Sequence, residues 1–130
     1  METTLSQEVS LRKKELTDNY IRLLDAHIRE MKDGRVEEAL EIRNFAEMLF
    51  VHPVHLSNTI KEVTGQSTCS LYEERLLQLS KELLTTTTLS IGQIAARMTY
   101  DPSNFTKFFK HYMGITPKEY RNRTRYTAES

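Results

Sequence analysis

The stretch DPSNFTKFFKHYMG, residues 101–114, decides how the fold of this chain is interpreted. On a helix of about 3.6 residues per turn, its aromatic side chains fall on one stripe at positions i, i+3, i+4 and i+7. They are Phe105, Phe108, Phe109 and Tyr112. Ser103, Lys107 and Lys110 point to the opposite side. The stretch therefore predicts a helix that packs its aromatic side on a core and leaves a polar side for another partner.

Start and stop signals around this stretch predict an all-α chain. Asp101 is a suitable N-cap and Pro102 a suitable first helical residue. From Glu38 onward no alternating strand pattern of any length occurs. Capping-box patterns open two further helices, at Ser90-x-x-Gln93 and at Thr116-Pro117-x-Glu119.

Two longer amphipathic helices are predicted upstream. Apolar residues at helical spacing predict a helix over residues 17–32, ended by the turn signal at 33–34. A second run, residues 69–84, can be capped by Ser67 and is expected to end at the four threonines 85–88, which are poor helix formers. Residues 1–15 have mixed charge and weaker periodicity, and we interpret them as a frayed extension or a linker.

The chain repeats itself after 49 residues. Such matches indicate one structural unit used twice. The aligned pairs are Ile42 with Ile91, Ala46 with Ala95, Pro53 with Pro102, Ser57 with Thr106, Ile60 with Phe109, Lys61 with Lys110, and Gly65 with Gly114.

Each unit has the spacing of a helix-turn-helix motif. A short helix with a small residue, Ala46 or Ala95, precedes a turn and a proline-started helix. Ten positions after the alanine comes an apolar residue, Leu56 or Phe105. The small residue lets the two helices cross closely. In this motif the second helix presents its outer face to the major groove of DNA, so the repeat predicts two such reading helices.

The outer faces of the two second helices supply the candidate DNA contacts. Asparagine can read adenine, serine and threonine can bond several bases, valine can touch a thymine methyl group, and lysine favours guanine or a phosphate. In the first unit we expect an inward face of Leu56, Thr59, Ile60 and Val63. The candidate contacts are Val54, Ser57, Asn58, Lys61, Ser103, Asn104, Thr106, Lys107, Lys110 and Arg121.

Alternative roles remain open for several polar residues. His52 and His55 flank the first reading helix, where they either touch phosphates or are simply exposed. Arg121 and Arg123 either contact the DNA backbone or pair with acidic groups.

The charge distribution favours a polyanionic partner for the last third of the chain. Lys plus Arg and Asp plus Glu are both 18 overall. Residues 90–126, however, contain seven basic and two acidic side chains, which is the kind of footprint that nucleic acid uses. A solvated face is the more common origin of such a cluster taken alone. Residues 42–66 are balanced, with two of each sign, so we expect a weaker electrostatic contribution there.

Residues 90–121, SIGQIAARMTYDPSNFTKFFKHYMGITPKEYR, resemble the C-terminal signature of the AraC/XylS family of bacterial transcription regulators. The matching features are the SI..IA start, the F...FK...G.TP..YR finish and the upstream pair Leu83-Leu84. The resemblance covers about residues 20–123. It implies about seven helices, with two helix-turn-helix subdomains joined by a long linker helix. It also implies sequence-specific binding of double-stranded DNA, usually with activation through RNA polymerase, and a sensor or dimerisation domain outside this chain.

On this basis we expect five segments along the chain. They are an N-terminal extension or linker (1–15), a first helix-turn-helix subdomain (16–68), a linker helix (69–85), a second subdomain (86–125) and a tail (126–130). A linker helix of about 16 residues is about 24 Å long, and it could set the reading helices about one DNA turn, roughly 34 Å, apart.

Three positions depart from the family pattern. Phe50 and Thr99 stand where a glycine is usual, four residues after each alanine. Bulky and β-branched residues tolerate positive φ poorly, so we expect these turns to take another conformation. Leu76 stands where the linker helix usually has an arginine.

Other classes of function have little support in the sequence. No apolar run approaches the roughly 20 residues of a membrane span, and residues 1–14 lack the apolar segment of a secretory signal. We therefore expect a cytoplasmic protein. Cys69 is the only cysteine and has no catalytic pattern around it, and the four histidines lack ligand spacing. We expect no cofactor, metal or catalysis. The alternative is a helical protein-interaction module that has lost DNA binding.

Overall fold

A computed structural model describes residues 2–129, with side chains for residues 6–125. Over this range the chain forms seven α-helices and no strand, which confirms the predicted all-α class. The helices are α1 (Glu2–Lys32), α2 (Ile42–Met48), α3 (Pro53–Thr64), α4 (Thr68–Thr86), α5 (Ile91–Arg97), α6 (Pro102–Met113) and α7 (Pro117–Glu129).

The helix-start signals lie where the sequence predicted them. The Ser90 side chain and Gln93 form the expected capping box at the start of α5. The hydroxyl of Ser67 accepts a hydrogen bond from the Ser70 amide at 3.0 Å, which caps α4. α3 and α6 both end at a glycine in the left-handed conformation, Gly65 and Gly114. Local side-chain chemistry therefore fixes most of the helix boundaries.

Two helix boundaries differ from the prediction. α1 begins at Glu2 and not at residue 17. Residues 2–15 contain no glycine or proline, and their charged and straight-chain residues favour helix, so the pattern continues. α4 runs to Thr86 and not to Leu84. The hydroxyl of Thr86 donates to the Glu82 carbonyl oxygen at 2.6 Å, so this threonine is accommodated within the helix.

Contacts divide the described chain into two compact units, each with one helix-turn-helix motif. Unit 1 holds the described residues up to His27 together with Leu40–Glu73. Unit 2 holds Ile28–Ala39 and the described residues from Glu74 onward. α1 and α4 each contribute to both units, and the motifs themselves are α2–α3 in unit 1 and α5–α6 in unit 2.

The core of unit 1 forms where α2 packs on α3. Ala46, Leu56 and Ile60 have no exposed surface, so the alanine lies at the helix crossing as predicted. The ring of Phe45 on α2 meets Tyr20 on α1 edge to face, with centroids 5.3 Å apart. Val63, predicted to face inward, is 43% exposed because it lies in the last turn of α3. The inward face of α3 is therefore shorter than the sequence suggested.

The core of unit 2 forms where α5 and α7 pack on α6. Phe105 and Phe109 are fully buried, and Phe109 meets Tyr120 of α7 with centroids 5.4 Å apart. Fewer than four of the aromatic residues on this stripe are buried. Phe108 is half-buried against Tyr100, and Tyr112 is 45% exposed. Only Phe105 and Phe109, four residues apart, belong to the core.

The turns at Phe50 and Thr99 keep the left-handed conformation, so the expectation of another conformation was wrong. Their φ angles are 58° and 63°. The amide after each turn residue donates to the carbonyl of the motif's alanine, Val51 to Ala46 at 3.0 Å and Tyr100 to Ala95 at 2.9 Å. The amide of each turn residue also donates to a helix carbonyl, Phe50 to that of Glu47 and Thr99 to that of Ala96. The two bonds at each helix end form a Schellman motif, which requires a positive φ at the turn residue. The helix ending imposes the conformation on both residues.

We expect Phe50→Gly and Thr99→Gly to stabilise the protein by about 0.5 to 1 kcal/mol each. Glycine removes the strain of a left-handed residue, partly offset by the greater freedom that it gives the unfolded chain. Phe50 is 94% exposed, so little packing is lost there. Urea denaturation measures both changes. Gly65→Ala is the control with the opposite expected effect. A methyl group there would meet no neighbouring atom, but the φ of 77° strains an alanine, so this variant should be destabilised by about 1 kcal/mol. A loss of stability in Phe50→Gly would contradict the strain argument.

Candidate nucleic-acid interface

The outer face of α6 carries polar side chains opposite its buried aromatic residues. Ser103, Asn104, Lys107 and Lys110 are all exposed. Residues 101–114 thus have the two faces predicted from the sequence, one packed in the core and one polar and exposed. Hydroxyl, amide and ammonium groups are the donors and acceptors that read base edges and phosphates.

Asp101 holds the side chain of Asn104 at the start of α6. One carboxylate oxygen accepts from the Asn104 backbone amide at 2.8 Å, which caps the helix. The other accepts from Asn104 Nδ2 at 2.7 Å. One amide hydrogen of Asn104 is thereby committed, while its carbonyl oxygen and second hydrogen remain available. That pair is the donor and acceptor set with which asparagine bonds adenine.

Thr106 and Ser57 occupy equivalent positions and are less accessible than the other candidates. Both side chains are half-buried. The Thr106 hydroxyl donates to the Pro102 carbonyl oxygen at 2.9 Å, so it is left as an acceptor. These two residues lie at the edge of the outer faces, where contact with a base is less direct.

The outer face of α3 has the same register with different chemistry. Val54 is 59% exposed, and Asn58 and Lys61 are exposed as well. His52 is the N-cap, and its Nδ1 accepts from the Val54 amide at 3.1 Å. The 49-residue shift pairs His52 with Asp101 and exposed His55 with Asn104. Unit 1 therefore presents an imidazole where unit 2 presents an amide.

The lysines of the two outer faces keep their charge available. Within the part of the chain whose side chains are described, neither Lys61, Lys107 nor Lys110 forms an ion pair. Arg97, in contrast, donates its guanidinium to the Lys32 carbonyl oxygen in unit 2. The basic excess counted from the sequence is thus partly used inside the fold.

Arg121 has a structural position, which corrects the expectation that it contacts DNA. Its side chain is buried, with 9% exposed. Its guanidinium donates to the carbonyl oxygens of Leu84 at 3.0 Å, and of Leu83 and Thr87 at 3.4 Å. Burial, and secondarily the charge of Arg125, lowers the pKa of Arg121. Arg121 thus caps the C-terminal end of α4, because the last carbonyl groups of a helix have no amide partner within the helix itself.

Two further residues at these faces were missed by the sequence analysis. Asp101 was identified only as an N-cap, although the same carboxylate also orients Asn104. Lys13, in the segment interpreted as an extension, forms an ion pair with Glu62 of α3 at 3.0 Å. The three-residue spacing of Asp101 and Asn104 is a signal that the sequence offers. The ion pair of Lys13 and Glu62 joins residues 49 positions apart, and no sequence pattern indicates it.

Other kinds of site find no support in the described residues. They contain no group of three or more metal-ligating side chains, and none of their helices combines the length and apolarity needed to cross a membrane. Cys69 is exposed, and its Sγ lies 3.6 Å from Glu73 Oε1. Partial burial and the neighbouring Glu73 raise the pKa of Cys69, which disfavours the reactive thiolate. Leu76, where the family usually has an arginine, is fully buried, and its side chain is apolar.

A family of sequences described as a helix-turn-helix domain matches residues 45–123. The chain is 25% identical over 123 residues to the arabinose operon regulatory protein of Escherichia coli K12. That match covers 90% of this chain and 42% of the relative. The chain spans less than half the length of the curated relatives that it matches first.

Solved structures share the fold. The C-terminal domain of AraT, a response regulator from Geobacillus stearothermophilus, is 32% identical, with a TM-score of 0.65 over 77% of this chain and 84% of that chain. The DNA-binding domain of AdpA, a global transcriptional factor solved in complex with a target DNA, has a TM-score of 0.72 over 84% of this chain and 95% of that chain. At 15% identity, the second likeness concerns the fold alone.

We expect Arg121→Met to lower the free energy of unfolding by about 1 to 3 kcal/mol, because it removes the side-chain donor from the buried Leu84 carbonyl oxygen. Urea denaturation followed by circular dichroism measures this loss. Arg125→Met, at an exposed position of the same helix, is the control and should change stability by less than about 0.5 kcal/mol. Equal stability of the two variants would contradict the structural role.

Proposed function

Because the chain belongs to the family of AraC-type helix-turn-helix DNA-binding domains of transcription regulators, we propose that it binds double-stranded DNA sequence-specifically. The observation that carries the proposal is the exposed polar face of α3 and α6, repeated in one register in two units. Each face lies opposite a buried apolar face, as the motif requires for a reading helix. The related domains serve regulators and are not enzymes, and the same holds for this chain.

In unit 2 the proposed contacts divide between base reading and phosphate binding. Asn104, oriented by Asp101, reads an adenine, and Ser103 bonds a neighbouring base edge. Lys107 and Lys110 supply charge along the same face and bind guanine or phosphate. Thr106 contributes through its acceptor oxygen at the edge of the face.

In unit 1 the proposed contacts are less charged. Val54 touches a thymine methyl group, Asn58 reads an adenine, and Lys61 binds guanine or a phosphate. Ser57, half-buried, supports the edge of this face. The two units would then prefer different base sequences, so a single chain would recognise an asymmetric site. Selection from random duplexes followed by footprinting tests whether one or two groove segments are covered.

The regulatory outcome is a further part of the proposal. The family resemblance favours activation through contact with RNA polymerase, and two relatives are named as operon regulatory proteins. The family resemblance likewise favours a sensor or dimerisation domain outside this sequence. A chromosomal target would place the protein in the bacterial cytoplasm. Transcription in vitro from a promoter carrying the selected site tests the sign, because activation should raise the transcript level and repression should lower it.

A protein-interaction module is the competing function, and salt dependence separates the two. Binding to DNA through lysines releases counterions, so affinity falls by roughly 0.9 log units per log unit of salt for each phosphate contact. A packed protein interface responds weakly to salt. Affinity for the selected duplex that hardly changes between low and moderate salt would count against DNA binding through these faces.

We expect Asn104→Ala to relax the base preference at one position and to weaken binding of the selected site by about 1 to 3 kcal/mol. Lys110→Ala should weaken binding to all sequences and reduce the salt slope by about one. Fluorescence anisotropy with a selected and a scrambled duplex measures both effects. Asn122→Ala, exposed on α7, is the control and should retain the preference. Unchanged binding by both α6 variants would exclude this face as the contact.

A further inference from the structure

The N-terminal half of α1 lies beside the reading helix of unit 1. Lys13 Nζ is 3.0 Å from both carboxylate oxygens of Glu62 on α3. One turn on either side of Lys13, Val9 and Leu16 line a shallow groove that also includes His55 of α3. One face of α1 is thus in contact with α3 well upstream of residue 17, where the sequence pattern had placed the start of the helix.

Helical geometry places this contact next to the outer face of α3. His55 and Glu62 are seven residues apart and lie on one side of α3. Val54 and Lys61, also seven apart, lie on the next side, about 100° round the helix. α1 therefore borders the proposed reading face without covering it, since Val54 and Lys61 remain exposed.

The charge of Glu62 is unfavourable for the proposed function. Its side chain is 61% exposed and adjoins Lys61, so a bare carboxylate there would repel the DNA backbone. Lys13 places an ammonium group against that carboxylate and cancels its charge locally. An exposed ion pair contributes little to folding, but it changes the electrostatic field that a phosphate meets near α3.

Arg12 brings a second positive charge to the same border. It lines the groove with Lys13 and His55, is exposed, and forms no ion pair within the described side chains. An arginine has five donors, and its planar group suits a phosphate. Lys14, only two positions further along α1, lies instead on a different side of the helix with Ser10 and Leu11.

We propose that the N-terminal half of α1 is part of the DNA-binding surface of unit 1. Lys13 neutralises Glu62 of the reading helix, and Arg12 binds a backbone phosphate beside the groove segment that α3 enters. The inference rests on the proposed function and extends the contact surface from the two helix-turn-helix motifs to the segment interpreted from sequence as an extension or linker. The ligand group is the phosphate of double-stranded DNA.

The phosphate contact is tested with Arg12→Gln against Lys14→Gln in the full chain. The two variants lose the same charge two residues apart on one helix. We expect Arg12→Gln to reduce the salt slope of binding to the selected duplex by about one, and Lys14→Gln to leave it nearly unchanged. Hydroxyl-radical footprinting should show lost protection only beside the unit 1 segment in Arg12→Gln. Equal behaviour of the two variants would overturn the Arg12 contact.

The role of Lys13 is tested with a double-mutant cycle on Lys13→Gln and Glu62→Gln. We expect Lys13→Gln alone to weaken DNA binding about threefold, because it uncovers the carboxylate near the phosphates. Glu62→Gln alone should strengthen binding by a similar factor, and the double variant should bind about as tightly as the unaltered protein, because the two charges act on the phosphates in opposite directions. An unchanged affinity in Glu62→Gln would overturn neutralisation, since there would then be no repulsion for Lys13 to offset. Thermal unfolding of each variant verifies that the fold is retained.

Failure of this inference can be told apart from failure of the proposed function. The unaltered protein is measured first with the selected duplex. If it shows no salt-dependent binding, the proposed function fails and this inference fails with it. If it binds, and binding is insensitive to Arg12→Gln and to Lys13→Gln, only the contribution of α1 is overturned.

Discussion

Close packing of two helices at an alanine is the constraint on which each motif depends. Ala46 and Ala95 have no exposed surface, and the amide following each turn donates to the alanine's own carbonyl oxygen. This bond forces the turn residue into the left-handed conformation even where it is Phe50 or Thr99. A larger residue at the crossing would separate the helices and break the bond at once. The orientation of each reading face follows from the same contact.

Local chemistry explains why much of the fold could be predicted from the sequence. N-caps such as Ser90 and Asp101, and the glycines that end α3 and α6, act within a few residues of their own position. The 49-residue repeat then predicted correctly, for most candidate contact residues, whether the side chain is exposed or buried. Val63 and Tyr112 were predicted to be buried and are exposed. Periodicity gives the direction in which a side chain points, but not how far along the helix the packed neighbour extends.

The features that could not be predicted depend on tertiary contacts. Arg121 is separated by 37 residues from the Leu84 carbonyl that it satisfies, and no sequence pattern relates the two. The early start of α1 is consistent with local propensity, but its contact with α3 joins residues 49 positions apart. The left-handed turns were misjudged for a related reason. Residue preference favours another conformation, and the surrounding hydrogen bonds outweigh it.

Counting charges along the chain therefore misstates the electrostatics of both units. In unit 2, Arg97 and Arg121 keep their charges but donate to main-chain carbonyls, so their guanidinium groups are less available to a phosphate. In unit 1 the apparent balance omits Lys13, which lies outside the counted segment and offsets Glu62. The two units therefore differ in basic groups available to DNA by less than the sequence indicates. Differences between them in DNA preference would then arise more from chemistry at single equivalent positions than from the net charge of each unit.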